Sequence, residues 1–111
     1  MGSDFYCEEV FSFKTSVEVV EESQRVVAYK HTRPHWPVHI VVVPKQHVPS
    51  LVDLGAADAE LGLLHEVLEV VRRVAARVNE QYGAARVLTN LGAYQDSLHL
   101  HFHVNYGAPL S

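Results

Sequence analysis

Leu98-His99-Leu100-His101-Phe102-His103-Val104 is the stretch on which the reading of this chain turns. Three histidines alternate with Leu, Phe and Val. Period-two alternation over this length predicts a half-buried β-strand, with the apolar residues on the core face and the imidazoles sharing the other. Alternate Cα atoms on a strand lie about 6.5–7 Å apart, which puts His99 and His103 about 13 Å from each other. A Zn–N bond spans only about 2 Å, so one metal holds two neighbours of the row but hardly all three. A row of imidazoles therefore suits an extended anionic group, such as a phosphate, better than one chelated ion.

Composition bounds the rest. A chain of 111 residues predicts a single domain over residues 1–111, long enough for one core. Its 48% hydrophobic and 20% charged content is ordinary for a globular protein. The formal net charge of −4 argues against broad binding to DNA or RNA, which needs a basic face. A local pocket for one small phosphorylated molecule is compatible with that charge. The single cysteine, Cys7, excludes an internal disulfide and fits a reducing compartment. No apolar run approaches the length of a membrane span, and Met1-Gly2-Ser3-Asp4 lacks a basic-then-apolar signal pattern. The expectation is a cytoplasmic enzyme or binding protein with no membrane partner.

In chain order, Asp4 to Val10 reads as a helical turn or an irregular lead-in. Strand signals cover Ser16 to Glu21 and Arg25 to Lys30, joined by a hairpin at Glu22-Ser23-Gln24. Pro34 and Pro37 make His31 to Pro37 an ordered loop. The β-branched run His39-Ile40-Val41-Val42-Val43, closed by Pro44, predicts a central strand buried on both faces. Val48 to Leu54 suits a short helical turn. One long helix is predicted from Ala57 to Tyr82, its apolar stripe running through Leu61, Leu64, Leu68, Val71, Ala75, Val78 and Tyr82. Asp58 and Glu60 open it, Arg72, Arg73 and Arg77 come late, and Gly83 stops it. His65 on this helix reads as structural or surface-facing. A strand over Arg86 to Asn90, a polar loop over Leu91 to Ser97 and the histidine strand, reaching about Asn105, complete the set. The fold class is α+β: about five mainly antiparallel strands with one long helix packed on the sheet.

These motifs resemble the histidine triad family of nucleotide hydrolases and transferases. The triad signature is His99-Leu100-His101-Phe102-His103-Val104-Asn105, with Asn in a usually less polar last place. Pro34 to His47 looks like the family's strand that begins with a histidine and ends in a Pro-Lys-x-His turn. Asn90-Leu91-Gly92 and Gln95 look like its asparagine and glutamine positions. The resemblance implies a homodimer that joins two sheets into one, a purine nucleotide as small-molecule substrate, and cleavage at its α-phosphorus. The small branch that hydrolyses nucleoside phosphoramidates is similar in size; a neighbouring branch cleaves dinucleoside polyphosphates.

The residues support that chemistry directly. A neutral imidazole is a competent nucleophile near pH 7 without a separate strong base, and the resemblance gives that place to His101. Its other ring nitrogen would be held by the backbone carbonyl at His99. His39, His99 and His103, partly protonated, would contact phosphate oxygens or handle the leaving-group proton. Asn90, Gln95 and Ser97 are phosphate-binding candidates, although Asn90 also reads as a turn residue and Gln95 as a brace for loop backbone. Trp36 suits a dimer contact or a pocket wall. The scheme requires no cofactor.

Three departures stand out. His31 occupies a place where relatives carry an acidic residue that binds ribose hydroxyls, and an imidazole accepts one bond there rather than two. The loop before the triad is short and carries Asp96 where a small hydroxyl is expected, with Ser97 one place on; a carboxylate beside a phosphate is repulsive unless it faces away. Relatives that bind zinc use Cys-x-x-Cys, whereas here Asp4 and Cys7 fill those places. A structural zinc, if present, would draw on Cys7, His47 and His99, with Asp4 as a fourth ligand. The alternatives to an enzyme are a nucleotide-binding module with little turnover and a metal-buffering protein.

Overall fold

The computed structural model describes residues 17–110. Its strands are β1 (Val19–Glu22), β2 (Val26–Lys30), β3 (Val38–Pro44), β4 (Arg86–Thr89) and β5 (Phe102–Tyr106), and its helix is α1 (Asp58–Tyr82). The strands form one antiparallel sheet in the order β1-β2-β3-β5-β4. Single 3₁₀ turns occupy Leu51–Asp53 and Gly92–Tyr94. The α+β class, the five strands and the single long helix are those expected. Among the described residues no helix is long and apolar enough to cross a membrane.

Strand β3 is the axis of the sheet. Its β-branched run is buried from His39 to Pro44, and the two parities face different surroundings. Ile40 and Val42 join Val26, Ala28, Phe102 and Val104 under α1. Val41 and Val43 form a second cluster with Val27 and Tyr29 on the other face. Burial on both faces is what a continuous apolar strand requires.

The helix ends as the sequence suggests: Gly83 adopts φ 88°, and its N–H donates to the Asn79 carbonyl at 2.8 Å. Only glycine takes that left-handed position without steric cost. Its last turn holds no basic residue, so the expected late arginines act elsewhere. Arg73 and Arg77 pair with Glu21 on β1. The buried stripe also differs from expectation. Leu63, Val67, Val70, Val71, Val74 and Val78 face the sheet, whereas Leu61, Leu68 and Tyr82 are exposed. The helix carries more apolar residues than one sheet face can cover, so periodicity alone admits two overlapping stripes. Ion pairs decide between them: Glu66, Arg73 and Arg77 all reach the β1 side, which rotates Leu61 and Leu68 to the opposite flank of the helix.

The histidine stretch is shorter as a strand than the alternation implies. Pairing with β3 begins only at Phe102, opposite Val42. The reason lies in the partner: β3 ends at Pro44, which has no N–H to extend a ladder. The preceding segment bonds instead to the turn that follows β3, through Leu100 N–H to the Val48 carbonyl at 2.6 Å. Thr89 Oγ1 also donates to the His101 carbonyl at 2.7 Å.

Candidate active site

The alternation survives beyond the ladder. Leu100, Phe102 and Val104 enter the core, while His99, His101 and His103 lie on the opposite face, each no more than 6% exposed. They are buried, not solvent-lined. His39 joins them from β3: its Nε2 stands 2.8 Å from His103 Nδ1. The His101 and His103 rings lie 4.8 Å apart, nearly perpendicular. His31 stacks on His39 at 4.3 Å and 18°, and Trp36 meets His39 edge-on at 5.0 Å.

Hydrogen-bond partners fix which nitrogen of each neutral ring carries the proton. The His35 backbone N–H donates to His39 Nδ1 at 3.0 Å. The His39 proton therefore sits on Nε2, which donates to His103 Nδ1 and leaves the His103 proton on Nε2. His101 Nδ1 lies 2.7 Å from the His99 carbonyl; a carbonyl only accepts, so Nδ1 is protonated and the lone pair is on Nε2. His99 Nε2 likewise donates to the Pro44 carbonyl at 2.7 Å.

Burial is the main reason why His31, His39, His101 and His103 all titrate below the usual histidine range. His39 falls to about 4 and His103 to about 3, with neighbouring imidazoles adding to the effect of burial. For His101 the bond to the His99 carbonyl and the charge of Asp96 act in the opposite direction. At pH 7 these four rings are neutral. This corrects the expectation of partly protonated imidazoles: what they offer an anion is N–H dipoles, not formal charge.

The remaining candidates divide. Ser97 is buried. Gln95 is spent on the loop, its Nε2 donating to the Pro49 and Ser97 carbonyls at 2.9 and 3.1 Å. Asn90 follows β4 half-buried, and Asp96 is exposed. His65 is exposed on α1. His47 is exposed and sets its ring edge-on to His99 at 5.5 Å. Asp4 and Cys7 lie outside the described residues, which hold no cluster of three or more metal-ligating side chains. His47 and His99 alone fall short of the four ligands of a structural zinc.

The loop from His31 to Pro37 walls His39 through the His35 backbone and the Trp36 ring, in keeping with the pocket-wall alternative for Trp36. The place of Asn105 escaped the sequence reading. Asn105 continues the odd-numbered face of the triad. It is fully buried, opposite His39 in the β3–β5 register, and its amide meets no partner among the described residues.

Comparison with known proteins agrees with this arrangement. Residues 6–108 match the family described as scavenger mRNA decapping enzyme C-term binding. A HIT-like protein of Chlamydia pneumoniae is 35% identical over 98 residues, 84% of each chain. The purine nucleoside phosphoramidase of Escherichia coli is 28% identical over 99 residues, covering 84% of this chain and 78% of that one. Among solved structures, a histidine triad protein from Clostridium difficile superposes with a TM-score of 0.77 at 30% identity, covering 97% of this chain and 93% of the other. The chain belongs to the histidine triad (HIT) family.

Proposed function

We propose that this protein is a nucleotide hydrolase or nucleotidyl transferase that cleaves at the α-phosphorus of a purine nucleotide conjugate through His101. The observation that carries the reading is the His101–His99 carbonyl bond, which holds the ring in the tautomer whose Nε2 lone pair can attack. In the first step His101 Nε2 forms a bond to phosphorus, and the bond from phosphorus to the leaving nitrogen or oxygen breaks. The leaving atom takes up a proton. In the second step water attacks phosphorus and gives a proton back to the His39–His103 pair, the P–N bond breaks, and the nucleoside monophosphate departs with His101 restored. An anion docked against His103 supplies the counter-charge that burial withholds. It therefore favours protonation of the His39–His103 pair and provides an acid for the leaving group.

The same reading includes a homodimer and the cytoplasm as working compartment, and needs no cofactor. The dimer is supported by exposed Val87 on β4, an edge strand, and by exposed Leu61 and Leu68 on α1. The test is release of AMP from adenosine 5′-phosphoramidate. Wild-type turnover is expected to fall by about a thousandfold or more in His101→Ala, with AMP affinity and the thermal transition retained. Equal activity in the variant would refute the nucleophile. AMP binding without turnover of this substrate or of dinucleoside polyphosphates would leave a nucleotide-binding module, a reading that the His31 stack on His39 favours.

A further inference from the structure

A pocket of about 460 Å³ lies on the helix side of the sheet, between the C-terminal half of α1 and the neighbouring ends of β1, β2 and β3. That volume falls in the range of small-molecule sites. Its floor is apolar: Val20, Val38, Ile40, Val74 and Val78. Val38 and Ile40 flank His39 in β3 and point to the face opposite its imidazole, because side chains alternate along a strand. The pocket is thus behind the histidine cluster rather than part of it. His31 and His39 also line it, and the His31 N–H donates to the His39 carbonyl at 2.8 Å.

The polar groups at this pocket are of one sign. Lys30 and Arg77 line it, and no carboxylate does. Their partners, Glu18 and Glu21, stand outside the lining: Lys30–Glu18 is a solvent-exposed pair, whereas Arg77 meets a half-buried Glu21 that Arg73 shares, and also donates to the Val20 carbonyl. An exposed pair contributes about 0–1 kcal/mol, so an incoming anion readily exchanges for Glu18 at Lys30, while Arg77 stays held at the mouth by Glu21 and offers the anion its charge alongside that pair. Gln81 and the Tyr82 hydroxyl add hydrogen-bonding capacity, and the rings of Pro34, Pro37 and Tyr82 offer flat faces. An apolar floor, flat walls and two cations at the mouth specify the occupant.

We infer that this pocket is a second ligand site, distinct from the triad, for a small aromatic anion whose ring rests on the valine floor and whose charge meets Lys30 and Arg77. Occupancy bears on the His31–His39 backbone pair from behind.

The experiment is calorimetric titration of 1-naphthoate and its neutral isostere 1-naphthamide. The proteins are the wild type, a Lys30→Gln/Arg77→Gln double variant and Gln81→Trp, each checked for an unchanged thermal transition. Wild type is expected to bind one naphthoate per chain, about tenfold or more tighter than the amide. The double variant should reduce naphthoate to the level of the amide. Gln81→Trp, at the exposed mouth, should weaken both about tenfold or more. Naphthoate should still bind with AMP saturating. Absence of naphthoate binding, equal affinity for the amide, indifference to all three substitutions, or full competition by AMP would each overturn the inference. A failure of AMP to bind bears on the function proposed above and leaves the naphthoate arms intact.

Discussion

His39 and His103 are held neutral by burial, and that has a cost which depends on pH. Their folded values, about 4 and about 3, lie below the 6.5 of an unfolded histidine. Between those limits the unfolded chain binds protons that the native chain refuses. Stability is therefore complete above about pH 6.5 and declines as pH falls toward 4, by at most about 1.4 kcal/mol per pH unit for each group. The melting temperature is expected to drop by about 10 °C or more between pH 7 and pH 5, and the drop should shrink in His103→Asn. The same linkage predicts that AMP binding at pH 7 draws protons from buffer. Binding enthalpies measured in phosphate and in Tris should then differ in proportion to buffer ionisation enthalpy; identical values would show that the pair stays neutral. The identity of these residues was legible in the sequence, since alternation marks His99, His101 and His103 as one face. Their charge state was not, because it depends on what covers that face and on a neighbour, His39, that is remote along the chain.

Helix α1 teaches a similar lesson at the level of the element. Its length and its glycine stop could be read from residue spacing and conformational preference. Its orientation could not, because Leu61, Leu64 and Leu68 and the series from Leu63 to Val78 are both apolar at helical spacing. The choice is made by long-range pairs. Glu66 accepts from the Ser23 hydroxyl and from the backbone N–H and Nε of Arg25. These bonds, the Ser23 one foremost, pull its carboxyl down to about 2. The consequence can be tested with two adjacent residues. Val67, with no exposure, is expected to lose about 2 kcal/mol on truncation to alanine, whereas Leu68, 46% exposed, should lose under about 0.5 kcal/mol in the monomer. Urea denaturation of Val67→Ala and Leu68→Ala distinguishes the stripes; the reverse order would mean that the helix is rotated.

For the whole molecule, that rotation leaves Leu61 and Leu68 exposed, as is Val87 on the edge strand β4, and the proposed homodimer would cover these residues. Sedimentation should give a dimer for the wild type and a monomer for Leu61→Glu/Leu68→Glu, with the helical signal unchanged; a dimer in both would place the contact elsewhere. The overall architecture was the most legible level of all, because strand count, helix length and the β-branched run of β3 are local properties. The dependence of the triad on the turn after β3 was hidden, because it arises where Pro44 ends one ladder. Strand order has one more consequence, in the time during which the chain is made. β5 lies between β3 and β4 yet leaves the ribosome after both. Until it emerges, β3 and β4 each present an unfilled edge, and no ladder joins the two parts of the sheet. The nascent chain must wait with that slot open, exposed to aggregation and to chaperones. The segment that closes the sheet also delivers His101 and His103, so folding and catalytic competence arrive in the same event.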